Sequence, residues 1–181
     1  MSQEELRIFV ERFMHFMNLW TVYSDFLSGR YVPSVNSDDG HNESILSVQI
    51  TLMFMLYAFF YSVVEDSQDA LNGFRVWRER FPEEEHAIAA VERQVIPFRD
   101  RLRVFRNRLG FHGSRTRTHE ADGLELFAAH TGDQIFQAMA NFKSLGAALL
   151  AKANAEQGLP NPSHEQARLW IDAVAARAQR R

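Results

Sequence analysis

The amino-acid sequence predicts an all-α fold, an up-and-down bundle of four to five helices. Three observations predict it. Apolar residues recur at steps of three and four along most of the 181 residues. No stretch alternates apolar and polar residues as a half-buried strand would. Hydrophobic residues make up 46% of the chain, and 15 phenylalanines supply apolar bulk for a packed core. One domain, residues 1–181, is expected, with the core bundle over about 2–155 and a C-terminal helix over about 163–178.

The first helix is expected from Ser2 to about Leu27. Ser2 with Glu5 three residues later has the capping-box spacing. Leu6, Phe9, Val10, Phe13, Phe16, Met17, Trp20 and Tyr23 form its apolar face. Ser28-Gly29 ends it, and a loop rich in turn residues follows through Pro33 and Gly40. The second helix starts near Asn42 and reaches at least Asp66. Ser44 to Val64 carries no charged residue, which raises a membrane span. Polar residues within it (Gln49, Thr51, Tyr57) and the lack of a flanking basic cluster favour a central bundle helix, buried almost all round. The pattern extends through Leu71, Phe74 and Trp77 to about Arg80, with Gly73 a candidate break.

Pro82 followed by Glu83, Glu84 and Glu85 opens the third helix, since proline suits the first turn and acids suit the positive end of the dipole. Val91, Val95, Phe98, Leu102, Phe105 and Leu109 form its core stripe, with a kink expected at Pro97. Gly110 and Gly113 mark its end or a bend, and Ser114 to Gly123 reads as loop. The fourth helix is expected over about Leu124 to Ala155, with a candidate interruption at Gly132. The last, Ser163 to Ala178, has a weaker pattern suited to packing on the outside.

There is no cysteine, which excludes disulfides, thiol nucleophiles and cysteine-bound zinc, and fits a reducing compartment. The start of the chain lacks the pattern of a secretion signal, so a cytoplasmic location is expected, with no membrane association. The formal charge of −3 conceals an asymmetry. Arg99, Arg101, Arg103, Arg106, Arg108, Arg115 and Arg117 lie within 21 positions beside one acid, Asp100. A basic segment on an otherwise acidic chain points to a localised anion site.

Within that segment Arg106, Asn107 and His112 stand out. Arginine grips phosphate with a planar, permanently charged fork. Histidine exchanges protons near neutral pH. The two residue types suffice for RNA cleavage without a metal: His112 would activate the 2′-hydroxyl and Arg106 would stabilise charge on the phosphate. On a helical wheel Arg106 falls roughly 60° from the core stripe, against roughly 100–160° for Arg103, Asn107 and Arg108. Arg106 is therefore the arginine nearest the core edge and needs a partner. Were the helix unbroken, His112 would lie about 9 Å further along and about 120° round. A bend at Gly110, or a second chain, would bring the two residues to one ligand. Glu65 and Asp66, after the apolar run, are candidates to pair with the arginines across the bundle. Glu83-Glu84-Glu85-His86 provides one Glu-x-x-His motif, but a di-iron bundle needs two; no metal and no cofactor are expected.

Arg-Asn-x-x-x-x-His at the end of the third helix of an all-α bundle resembles the HEPN superfamily (higher eukaryotes and prokaryotes nucleotide-binding). The resemblance covers roughly residues 2–155. It implies a bundle of four or five helices and a homodimer with both motifs facing one cleft. It also implies metal-independent endoribonuclease activity, as in bacterial toxins and abortive-infection proteins, with an antitoxin or defence-system protein as partner. Carried over, Arg106 and His112 would be catalytic and Asn107 would orient them. The other arginines of the basic segment, Arg103, Arg108, Arg115 and Arg117, would hold flanking RNA phosphates. One subgroup has a modified tyrosine two residues after the histidine. Ser114 stands there in this chain, which speaks against that form of regulation. The alternative is a non-catalytic helical module that binds an anion or nucleotide, or docks on another protein.

Overall fold

Ser2 caps the first helix in the way its spacing predicts. Its hydroxyl accepts from the Glu5 amide at 3.1 Å, and its own amide donates to the Glu5 carboxylate at 2.6 Å. In the computed structural model, which describes residues 2–28, 39–109, 132–156 and 164–180, the chain is an all-α, up-and-down bundle. Six α-helices and no strand occur among the described residues. They are α1 (Gln3–Leu27), α2 (Asp39–Val64), α3 (Gly73–Arg80), α4 (Glu85–Leu109), α5 (Gly132–Glu156) and α6 (His164–Gln179). A 3-10 turn, Pro82–Glu84, leads into α4, with the proline in its first turn.

The extra helix comes from a division at the end of α2. Residues 65–72 leave the helix, and Asn72 starts the next one: its side-chain oxygen caps α3 by accepting from the Arg75 amide at 3.1 Å. Helix α4 runs through Pro97 without interruption. The expected start of the fourth helix at Leu124, and the loop from Ser114 to Gly123, lie outside the described residues.

Helix α1 packs on α2, α2 on α4, α4 on α5, and α6 on both α4 and α5. The core is aromatic. The Phe142 ring meets Trp77, Phe74, Phe60, Phe13 and Phe16 at centroid distances of 4.6, 5.3, 5.4, 5.8 and 5.8 Å. Most of these pairs are edge-on, the arrangement favoured by ring quadrupoles. One helical turn later, Gly146 leaves room on α5 for the Phe13 and Trp77 rings. A Cβ there would sit 2.2 Å from the Phe13 ring and 2.7 Å from Trp77.

Helix α2 corrects one expectation. Only its second half lines the core, through Leu56, Tyr57, Phe60, Tyr61, Val63 and Val64. Val48, Ile50 and Met55 are exposed, and the apolar stretch Ser47–Val64 is 33% buried. That stretch is long and apolar enough to cross a membrane by length and composition. Absence of charge measures polarity, not the number of neighbours, and the described helices cover the first half of α2 on one side only. Helix α6 matches its weaker pattern: Ile171, Val174 and Ala175 face the core, while Leu169 and Trp170 face outward.

Candidate functional site

Arg99, Arg103 and Arg106 recur at steps of four and three on α4, so they project from one side of it. Their environments differ. The Arg103 side chain is 58% exposed, with Asp100 at 3.5 Å. Arg106 lies at the core edge, as its wheel position predicts. Its Nη1 donates to Glu65 Oε2 at 2.8 Å, with the two side chains 34% and 25% exposed. Its guanidinium also sits 5.5 Å from the centroid of the Tyr61 ring, a cation–π contact. Burial pushes the Tyr61 hydroxyl above its ordinary value, the Glu65 charge adds to this, and Arg103 and Arg106 oppose it.

Glu65 follows directly on α2 and is fixed there by Asn72. The buried Asn72 amide donates to the carbonyls of Val64 and Glu65, both at 3.1 Å. One asparagine thus satisfies the end of α2, starts α3 and sets the position from which Glu65 reaches Arg106.

From this point a ladder of alternating charge runs toward the start of α4. Asp66 accepts from Arg99 at 3.0 Å, and Arg99 also reaches Glu92 at 3.3 Å. Glu92 accepts from Arg78 at 2.5 Å, and Arg78 donates to Glu85 at 2.8 Å. Glu65 and Asp66 therefore each take one arginine of α4, the pairing their place after α2 suggests.

The structure leaves the other half of the motif undescribed. Asn107 and Arg108 belong to α4, but their side chains lie outside the described residues, as do His112, Arg115 and Arg117 entirely. Among the described residues there is no cluster of three or more potential metal ligands. The acids of Glu83-Glu84-Glu85-His86 are engaged by cations, and the His86 ring meets the Gln179 amide at 2.8 Å.

Those cations form a second charged cluster, one that sequence reasoning missed. The Lys152 ammonium, 3% exposed, contacts Glu83 and donates to Glu84 at 2.8 Å. Glu84, 2% exposed, also accepts from Arg168 of α6 at 2.6 Å. One signal could have found it: Lys152 is the single charge in Ala147–Ala153, a run of small and apolar residues that places it on a packed face.

Chemically, the two clusters differ in what they offer a ligand. In the Lys152 cluster the central Lys152–Glu84 pair is closed to solvent and compensated by its neighbours. Arg106 bonds Glu65 through one nitrogen and lies over the Tyr61 ring, with its side chain 34% exposed. A monodentate arginine fork at a helix end is suited to taking a phosphate oxygen. Comparison of the chain with protein-family models, with curated proteins and with solved structures gives no match.

Proposed function

We propose that this protein is a metal-independent endoribonuclease of the HEPN type, a toxin or phage-defence effector acting in the cytoplasm as a homodimer. The observation that carries the reading is the state of Arg106. It is positioned by Glu65 and Tyr61, one-third exposed, and three residues from the end of α4. Six positions on stands His112.

In this reading RNA supplies its own nucleophile. His112 takes the proton of a 2′-hydroxyl, and that oxygen forms a bond to the adjacent phosphorus. The bond to the 5′-oxygen breaks, and that leaving oxygen takes up a proton. The products are a 2′,3′-cyclic phosphate and a 5′-hydroxyl. In a dimer the two histidines divide the base and acid roles. Arg106 neutralises charge gathering on the phosphorane, Asn107 orients the pair, and Arg103, Arg108, Arg115 and Arg117 hold flanking phosphates. DNA, without a 2′-hydroxyl, binds and is not cut.

The test is RNA cleavage in EDTA, with product ends identified. His112→Ala is expected to reduce the rate by about 10²–10⁴-fold, and Arg106→Ala by a comparable factor, with the fold intact in both. Cleavage that survives His112→Ala unchanged would sink the assignment. One observation favours a second reading: Glu65 already compensates the Arg106 charge, as a structural ion pair would. A non-catalytic module that binds anions or docks on a protein would cut none of several RNAs as wild type and would tolerate loss of His112.

A further inference from the structure

Arg106 and Glu65 form a half-exposed pair at a place where the proposed reaction needs an uncompensated cation. The carboxylate engages one guanidinium nitrogen, at 2.8 Å. Tyr61 supports the plane of the guanidinium, and Asn72 holds the backbone that carries Glu65. A carboxylate and a phosphate offer an arginine fork the same kind of oxygen acceptor. The acid on Arg106 therefore occupies, from within the chain, part of the position a phosphate would take.

We propose that Glu65 is a built-in competitor for the Arg106 fork, a latch that a phosphate group must displace to engage this arginine. The proposal rests on the reading of Arg106 as a phosphate-binding residue and adds how that residue is kept in check. Three features make exchange feasible. The pair is exposed enough for solvent to screen it, so breaking it costs little. Tyr61 stays in contact with the guanidinium after Glu65 lets go, which keeps the fork oriented. Glu65 sits just past the end of α2, on a segment fixed by a side-chain amide, so its release does not require α2 to unwind. The Lys152 cluster also sets its cation against a ring, Phe81 at 5.8 Å, but its central pair, Lys152 with Glu84, is only 3% and 2% exposed and has no such screening by solvent.

The experiment measures binding rather than cleavage. Two probes are used with the full-length protein: inorganic tripolyphosphate, followed by calorimetry, and a short fluorescein-labelled 2′-deoxy oligonucleotide, followed by anisotropy at several salt concentrations. The variants are Glu65→Gln, Arg106→Gln and the double substitution. Glutamine keeps an acceptor for Arg106 and removes the competing charge. Glu65→Gln is expected to tighten both probes about fivefold, the factor matching loss of a pair worth ~1 kcal/mol. The dependence of log K on log salt should steepen by about 0.7 for the oligonucleotide, one more phosphate contact on a single strand. Both gains should vanish when Arg106 is also replaced.

A gain of equal size in the Arg106→Gln background would mean a remote charge effect and would overturn the latch; so would no gain at all. If the latch fails while wild type still cuts RNA, the nuclease reading stands without it. If wild type cuts no RNA while Glu65→Gln gains tripolyphosphate through Arg106, the latch stands and the nuclease reading falls. Should glutamine prevent folding, Glu65→Ser carries the same comparison.

Discussion

Two charged clusters, Lys152 with Glu83, Glu84 and Arg168, and Arg106 with Glu65, use the same chemistry to opposite ends. The first has a closed centre: Lys152 and Glu84 are 3% and 2% exposed, with Glu83 and Arg168 at its rim 49% and 46% exposed. It ties the 3-10 turn before α4 to α5 and α6. The second lies at the edge, with 34% and 25% of its side chains exposed. A buried pair that loses one member leaves a charge without solvent, whereas a half-exposed pair surrenders its partner to water. Burial thus decides which cluster is structural and which can exchange partners with a ligand.

The largest effect that would break this contrast is at Lys152. Lys152→Ala is expected to lower stability by about 3 kcal/mol, the low end for a broken buried pair because Arg168 remains on Glu84. Urea unfolding followed by circular dichroism measures it. A loss below ~1 kcal/mol would erase the distinction drawn from burial.

The same cluster makes stability depend on pH in a defined direction. The hydrogen bond from Lys152 holds the Glu83 carboxyl below its ordinary 4.5. Burial disfavours the Lys152 charge, but the hydrogen bonds and charges of Glu83 and Glu84 outweigh it, leaving the amine above its ordinary 10.5. The depressed acid contributes fully above its unfolded value and loses that contribution as pH falls through the lower folded one. The raised base contributes fully below its unfolded value and loses that contribution as pH rises through the higher folded one. Stability should therefore decline below about pH 4.5 and above about pH 10.5 on this account. In Lys152→Ala the alkaline decline should shrink, read as the urea midpoint across the pH range.

A smaller loss is expected from Gly146→Ala. The added methyl would meet Phe13 at 2.2 Å, and such overpacking costs about 1–3 kcal/mol. It tests whether the rigidity of α5 near Lys152 also comes from packing. A neutral result would show that the Phe13 and Trp77 rings can shift there. Asn72→Ala follows, at about 1–2 kcal/mol, through a lost cap and lost hydrogen bonds at the end of α2. It should also loosen Glu65, so its effect on tripolyphosphate binding should share the sign of Glu65→Gln.

The sequence showed these regions unequally, for physical reasons. The capping box at Ser2, the phenylalanine stripe of α1 and the start of α4 at Pro82 are local patterns, and local patterns are legible. Arg106 at the core edge follows from helical periodicity alone. Its pairing with Glu65, 41 positions away, was legible only as a possibility, because an acid just after one helix and an arginine on another meet when the helices run antiparallel. The Lys152 cluster spans 68 positions between Lys152 and Glu84, and no periodicity links them. Helix α2 misled because an uncharged run suits a buried helix, a membrane span and a half-covered surface helix equally. Asn72 was hidden for another reason: its buried side chain bonds backbone at both ends of the 65–72 break between α2 and α3, and nothing local in the sequence marks an asparagine for that role.

The smallest expected effect is the most informative about the edge cluster. Arg106→Gln should change stability by less than about 1 kcal/mol, since the pair it breaks is screened by solvent. Glutamine retains most of the stem that packs near Tyr61, and Glu65 can hydrate once released. Thermal unfolding of wild type and variant side by side reads the difference. A loss as large as that of Lys152→Ala would place Arg106 among the structural charges, and the latch would have no exchangeable cation to guard. A near-neutral result, together with loss of anion binding, would mean that the fold does not need this arginine, and that the carboxylate beside it restrains an otherwise available charge.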